Sequence, residues 1–263
     1  MRPRKKPEEF DPSFPGYIRE IVLRRDQIPG FDAYPFSLPA VRNLDLLRFH
    51  PKVTFLAGEN GSGKSTIVEA VAVAVGLNAE GGSKNFRFET RRSNSSLAEH
   101  LRVVRGFERE KDCFFLRAES FYNVATEIEN LGLPLEDYGD KSPHEQSHGE
   151  SFMALITHRF SGRGFYVLDE PEAALSPQRQ LAFLAALHAH VTVKRSQFLI
   201  ATHSPIILAY PEAWIYELSG DGVRQTTYEE TEHYRTTRSF LENRDRFLRH
   251  LLRPWSEGEP PSP

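Results

Sequence analysis

The sequence predicts an α/β fold in which a mostly parallel central sheet is flanked by helices. Three observations predict it. Residues 58–65 read GENGSGKS, which matches G-x-x-x-x-G-K-[ST] at every fixed position. Short apolar runs alternate with helical segments along the chain, and strands separated by helices pair in parallel and are covered on both faces. Acidic and polar residues follow those runs directly, at the carboxyl strand ends where such sheets bind ligands.

The elements follow in order. Residues 52–57, KVTFLA, are a buried strand. Gly58, Gly61 and Gly63 let the next turn tighten, so that the N–H groups of Glu59, Asn60, Ser62 and their neighbours converge on phosphate oxygens. Lys64 can reach the terminal phosphates and Ser65 can hold Mg²⁺. Residues 66–75, beginning at Thr66, are Ala-rich and stop at Gly76, which suits the position just past a helix. The phosphates then sit at a helix N-terminus, where free N–H groups and the dipole favour anions. Residues 114–118 read as a strand. Residues 151–160 read as a helix, with Phe152, Leu155, Ile156 and Phe160 at helical spacing. Residues 164–168 are a buried strand. Residues 177–190 are a helix capped by Ser176, with Pro177 in its first turn and Leu181, Leu184, Ala185 and His188 on one face. Residues 197–201 and 214–218 are further strands.

Two strand ends carry chemistry. Residues 165–168 run into Asp169, Glu170 and Pro171. A carboxylate ending a buried strand is costly without a cation or hydrogen-bond partners. Asp169 suits a Mg²⁺-holding role, and Glu170 suits a base or water-positioning role at a γ-phosphate. Residues 201–205, ATHSP, follow the next strand, so His203 can reach the same phosphate.

Composition bounds the rest. The 263 residues suit one large domain, or one domain with an inserted lobe. A net charge of −3 supplies no general attraction for nucleic acid. Cys113 is the sole cysteine, which excludes an internal disulfide and points to a reducing, cytoplasmic compartment. No apolar run approaches the roughly 20 residues that span a bilayer, so no membrane insertion is expected. The basic N-terminus lacks the apolar stretch of a secretory signal.

In order, GENGSGKST, Glu119 after a strand, SHGES, VLDEPEAALS and ATHSP resemble the ATP-binding cassette ATPases. The likeness is nearest to the stand-alone soluble members called AAA-family or predicted ATPases, and covers residues 50–218. The resemblance implies a P-loop nucleotidase fold with an N-terminal β-rich portion and a short helical signature lobe, using ATP and Mg²⁺. It implies an ATPase in which Lys64, Glu170 and His203 are catalytic and Ser65, Asp169 and Glu119 meet the metal. Residues 146–150 stand where that family has LSGGQ. Ser147 and Gly149 match it, while His148 and Glu150 replace a Gly and the Gln. In the family this segment binds the γ-phosphate held by the opposite subunit, so an ATP-dependent homodimer is implied. Residues 174–176 resemble the D-loop, with Ser176 for the usual Asp. Tyr34 and Phe36 are upstream aromatics for the adenine, with core packing the expected role of each. The implied layout is a flexible arm over 1–15 and the ATPase domain over 16–252. Within that domain lie a lobe at about 77–160 and an amphipathic extension at about 228–252, and a disordered tail follows over 253–263.

Other readings compete. His144, Glu145 and His148 match the zinc protease pattern H-E-x-x-H, but Pro143 and Gly149 bound it closely and no third ligand is evident. A transporter's nucleotide-binding subunit needs a membrane partner that the chain does not identify. A DNA-repair or defence-associated head is a further alternative; chromosome-maintenance and repair-type heads carry long coiled-coil arms, for which residues 76–147 are too short, and nucleic-acid binding has no other support. A slow ATP-gated interaction switch is the non-enzymatic class, and an unidentified protein partner fits any of these. Residues 78–105 read as a loop for nucleotide or partner, or as a solvent-exposed insertion. Residues 231–252 read as an amphipathic, locally basic helix packed on the body or docking a partner.

Overall fold

The computed structural model describes residues 14–83, 96–118, 126 and 146–252. Glu119, His144, Glu145, most of the expected 1–15 arm, residues 84–95 and the 253–263 tail lie outside these residues. The described strands are β1 (Ile18–Leu23), β2 (Leu46–Arg48), β3 (Val53–Gly58), β4 (Leu101–Arg105), β5 (Asp112–Arg117), β6 (Gly164–Asp169), β7 (Gln197–Ala201), β8 (Ala213–Ser219) and β9 (Gly222–Thr226). The described helices are α1 (Pro39–Arg42), α2 (Lys64–Ala74), α3 (His148–Ala154), α4 (Pro177–Thr192), α5 (Pro205–Leu208), α6 (Glu232–Glu242) and α7 (Arg244–Leu251).

The larger sheet has the order β5-β6-β7-β3-β8-β9. All of its neighbours pair in parallel except β8 and β9. All six residues of β3 are buried, because both faces are covered. Leu56, Val167 and Leu199 face one core, which includes Ile67 and Val71 of α2. Phe55, Leu168 and Ile200 face a second core, with Phe183 and Leu187 of α4. Two-sided burial is why these strands read as continuous apolar runs. Each such side chain contributes about 2–3 kcal/mol by leaving water.

The β-rich portion is a second sheet, ordered β2-β1-β4 and antiparallel throughout. Its strand β4 comes from the segment read as a loop or insertion. Residues 101–105 therefore build the body, because their partner β1 is remote in sequence and supplies the pairing. Gln197, fully buried at the start of β7, pins the two sheets together. Its Oε1 accepts from the N–H groups of Tyr17 and Ile18 at 2.9 Å, and its Nε2 donates to Ile18 O at 2.7 Å and His50 O at 3.0 Å.

Three helix expectations need correction. The predicted 151–160 helix begins earlier, at His148, and ends in a π-helical turn over Leu155–Arg159. Ser147 and Glu150 form a capping box that starts it, a local signal that outweighs the apolar spacing. Helix α4 buries Gln180, Phe183, Leu187, His190 and Val191, whereas Leu181 on the predicted face is 59% exposed. The true stripe was disguised by two polar residues that find partners. Gln180 bonds Leu175 O and the Ser204 hydroxyl, and His190 Nε2 bonds Ile156 O. The C-terminal amphipathic segment is two helices broken at Asn243, and neither fully buries a residue. Leu241, Leu251 and Leu252 are exposed, and Phe240 packs edge-on against Phe247 of the following helix.

Candidate functional site

Strand order decides the site. β3 lies between β7 and β8, so the chain leaves β3 toward one half of the sheet and later returns to the other. The loop after β3 thus opens at a topological switch point, where such sheets bind ligands. The turns after β6 and β7 open at the same edge, which brings residues 58–66, 169–172 and 202–204 together.

The loop turns through positive φ at Gly58, Gly61 and Gly63 (145°, 79° and 97°). At Gly58 a side chain is also barred by space, since a Cβ there would stand 2.4 Å from Leu218 O on β8. In front of Gly61 the space is open. Gly63 caps α2, whose first residue is Lys64. Lys64 is only 3% exposed, and its Nζ donates to Gly58 O at 2.8 Å and Glu59 O at 3.0 Å. Burial pushes its pKa below the ordinary lysine range, opposed by Glu170, Asp169 and other nearby carboxylates. Ser62 Oγ is buried without a hydrogen-bond partner among the described residues.

Ser65 Oγ donates to Asp169 Oδ1 at 3.2 Å. Arg117, in register with Asp169 on the adjacent strand, places Nε 3.5 Å from Asp169 Oδ2 and bonds Glu69 of α2 at 2.9 Å. Glu170 adopts a left-handed conformation (φ 52°), which a non-glycine residue holds at a cost of about 1 kcal/mol or more. That bend turns its carboxylate to His203, with Oε1 2.9 Å from Nε2. Glu172 secures the histidine turn from below. It accepts from Thr202 Oγ1 at 2.7 Å and from His203 N at 2.5 Å.

A cleft of about 390 Å³ opens over the loop. Asn60, Gly61, Lys64, Ser65, Thr66 and Glu170 face it, as does Tyr34. Core packing was expected for both upstream aromatics. Phe36 is buried against the ring of His100, but Tyr34 is 67% exposed and its hydroxyl lies 3.1 Å from Thr66 Oγ1. The cis Tyr34–Pro35 peptide precedes the buried Phe36.

Among the described residues, the hydrogen bonds of Ser147 lie with Glu150, Ser151 and Arg179, apart from this cluster. The Ser147 hydroxyl donates to Glu150 Oε2 at 2.7 Å, and Arg179 of α4 donates to Ser147 Oγ and to Glu150 Oε1, both at 3.1 Å. A Cβ on Gly149 would meet Arg179 Nη1 at 2.3 Å, so the glycine admits the guanidinium. Those hydrogen bonds hold the Glu150 carboxyl below the usual range. Arg117, Glu172 and Arg179 belong to these networks and were not singled out from the sequence. Only the S-x-x-E spacing gave a local sign of any part of these networks. His148 is exposed, and its partners in the zinc pattern, His144 and Glu145, lie outside the described residues.

An "AAA domain" family model matches residues 27–131, which take in the phosphate loop. A second, described as "AAA domain, putative AbiEii toxin, Type IV TA system", matches residues 107–209, which take in both later turns. The energy-coupling factor transporter ATP-binding protein EcfA2 of Spiroplasma kunkelii is 22% identical over 191 residues, 65% of this chain. The match spans 62% of that protein's length. CbiO1 from Clostridium perfringens, part of the ABC transporter complex CbiONQ, superposes with a TM-score of 0.51 at 17% identity, covering 89% of this chain and 99% of CbiO1. The SMC head domain from Thermotoga maritima gives 0.46 at 15% identity, covering 80% and 98%. At these identities the likeness to CbiO1 is one of fold.

Proposed function

We propose that this chain, a P-loop ATPase of the ATP-binding cassette type, hydrolyses Mg·ATP in a site that a second copy of the chain completes. The observation that carries the reading is the 3.2 Å approach of Ser65 Oγ to Asp169 Oδ1, with Lys64 and Glu170 facing the same cleft. A hydroxyl and a carboxylate at that spacing are hard oxygen donors, and Mg²⁺ takes one or two such ligands while keeping phosphate oxygens and waters. The donor set therefore fits Mg²⁺, which when bound would draw charge from the β- and γ-phosphate oxygens.

The residues divide the work. The N–H groups of 58–66 and the Lys64 ammonium neutralise the phosphates. Tyr34, at the mouth of the cleft, offers its ring to the base. Glu170 orients a water and takes its proton as the water oxygen attacks the γ-phosphorus. The bond to the β–γ bridging oxygen breaks, leaving ADP and phosphate. His203 holds Glu170 in place and faces the γ-phosphate. Ser147, with Arg179 beside it, completes the cage of a partner copy's γ-phosphate. The test is Glu170→Gln with ATP, in which arrested hydrolysis should trap a dimer visible by light scattering. A variant that stays monomeric at saturating ATP sinks the sandwich.

What turnover drives is a separate question. The transporter parts EcfA2 and CbiO1 favour a subunit that docks on a membrane protein. No described helix is long and apolar enough to cross a membrane. Affinity capture with the trapped Glu170→Gln variant decides between a membrane partner and a DNA-associated or defence partner.

A further inference from the structure

We infer that His233, on the C-terminal helix α6, is a positioning residue of the nucleotide site. The inference rests on the ATPase reading for its kinetic consequence, but the contacts stand by themselves. The start of α6 is fixed to the body. Thr231 is fully buried, its hydroxyl donates to Tyr228 O at 2.7 Å, and Glu232 N donates to Glu217 Oε1 at 2.8 Å. Glu217 lies on β8, in register with Ala57 of β3, one residue before the phosphate loop.

This anchor delivers the His233 side chain to the loop, where it is only 13% exposed on an otherwise open helix. Its Nε2 is 3.2 Å from Gly58 O. A carbonyl can only accept, so Nε2 carries the hydrogen. Gly58 O is also the oxygen to which Lys64 Nζ donates, so the ammonium and the imidazole ring meet at one carbonyl of the loop. The His233 ring then packs edge-to-face on His203, with centroids 5.2 Å apart and planes at 76°. His203 in turn bonds Glu170 at 2.9 Å. His233 thus touches the loop on one side and sets the ring plane of His203 on the other, two links from the carboxylate that orients water. The C-terminal extension belongs to the reaction site by this one side chain.

The experiment is a double-mutant cycle read by steady-state ATP turnover. His233→Ala should lower kcat about tenfold with KM within about twofold, since it acts through His203 and not on binding. In a His203→Ala background the same change should cost less than about twofold, because the residue it positions is gone. His233→Phe, which keeps a ring against His203, should retain more kcat than His233→Gln, which keeps only the donor to Gly58. In histidine-labelled protein, His233→Ala and His233→Gln should move the His203 imidazole resonances, without any need for turnover. Full kcat in His233→Ala, an undiminished tenfold loss in the His203→Ala background, or unmoved His203 resonances would each overturn the inference. If His233→Ala fails to fold, the Phe and Gln variants carry the same comparison. A wild-type protein that turns over no ATP defeats the ATPase reading, while the resonances still judge the contact.

Discussion

The phosphate-loop end of the sheet and the Ser147 end of α3 hold their polar groups in different ways. At the loop end, Lys64, Asp169 and Thr202 are buried; Lys64 bonds carbonyls of its own loop, while Asp169 bonds Ser65 and Thr202 bonds Glu172 from other strand ends. At the Ser147 end, Ser147 and Glu150 are exposed and bond each other and Arg179. Buried polar groups with fixed partners are pre-organised for a ligand, and exposed pairs are free to exchange partners. Under the proposed function, the first end binds nucleotide within one chain and the second completes the site of a partner copy.

The largest test of that contrast is Lys64→Ala. It should cut ATP turnover by about 10²–10³-fold and weaken nucleotide binding, as phosphate release and nucleotide titration would show. Ser147→Glu sets a second carboxylate beside Glu150. Turnover should fall by about 10²-fold while ATP affinity of the monomer stays within about twofold. A matching loss of affinity in both variants would erase the distinction between the ends. Tyr34→Ala should raise KM for ATP about tenfold, with Tyr34→Trp close to the parent, if an exposed ring stacks on the base.

A further test, of stability and not of turnover, lies away from both ends. Burial, helped by Lys194, lowers the pKa of His190 from 6.5 to about 4. The folded protein holds this ring neutral while the unfolded chain protonates it, so its contribution is intact above pH 6.5 and is lost as pH falls toward 4. Thermal unfolding at pH 5 should show about 2 kcal/mol less stability from this group than at pH 7. His190→Gln, which retains a donor for Ile156 O, should flatten that part of the pH dependence.

Much of the site was legible in the chain because its signals are local. A glycine-lysine loop between an apolar run and an Ala-rich segment needs no knowledge of distant residues. The same holds for Asp169-Glu170-Pro171 and Thr202-His203-Ser204 at strand ends. The misses share a different cause. β4 reads as part of an irregular insertion until β1 pairs with it across 80 residues. The buried face of α4 includes Gln180 and His190, which become core residues only once Ser204, Leu175 and Ile156 are in place. Tyr34 and Phe36 are two residues apart and alike in chemistry, yet packing sent one to the core and the other to the cleft.

Spacing within a few residues was enough to specify the strand, loop and helix over residues 53–74, the acids at the end of β6 and the histidine just past β7. Only the tertiary structure decided that β3 lies between β7 and β8, that Arg179 reaches Ser147, and that a helix beginning at Glu232 brings His233 back to Gly58. Those contacts join residues up to 175 positions apart, and only the common burial of the sheet's two faces brings them within bonding distance.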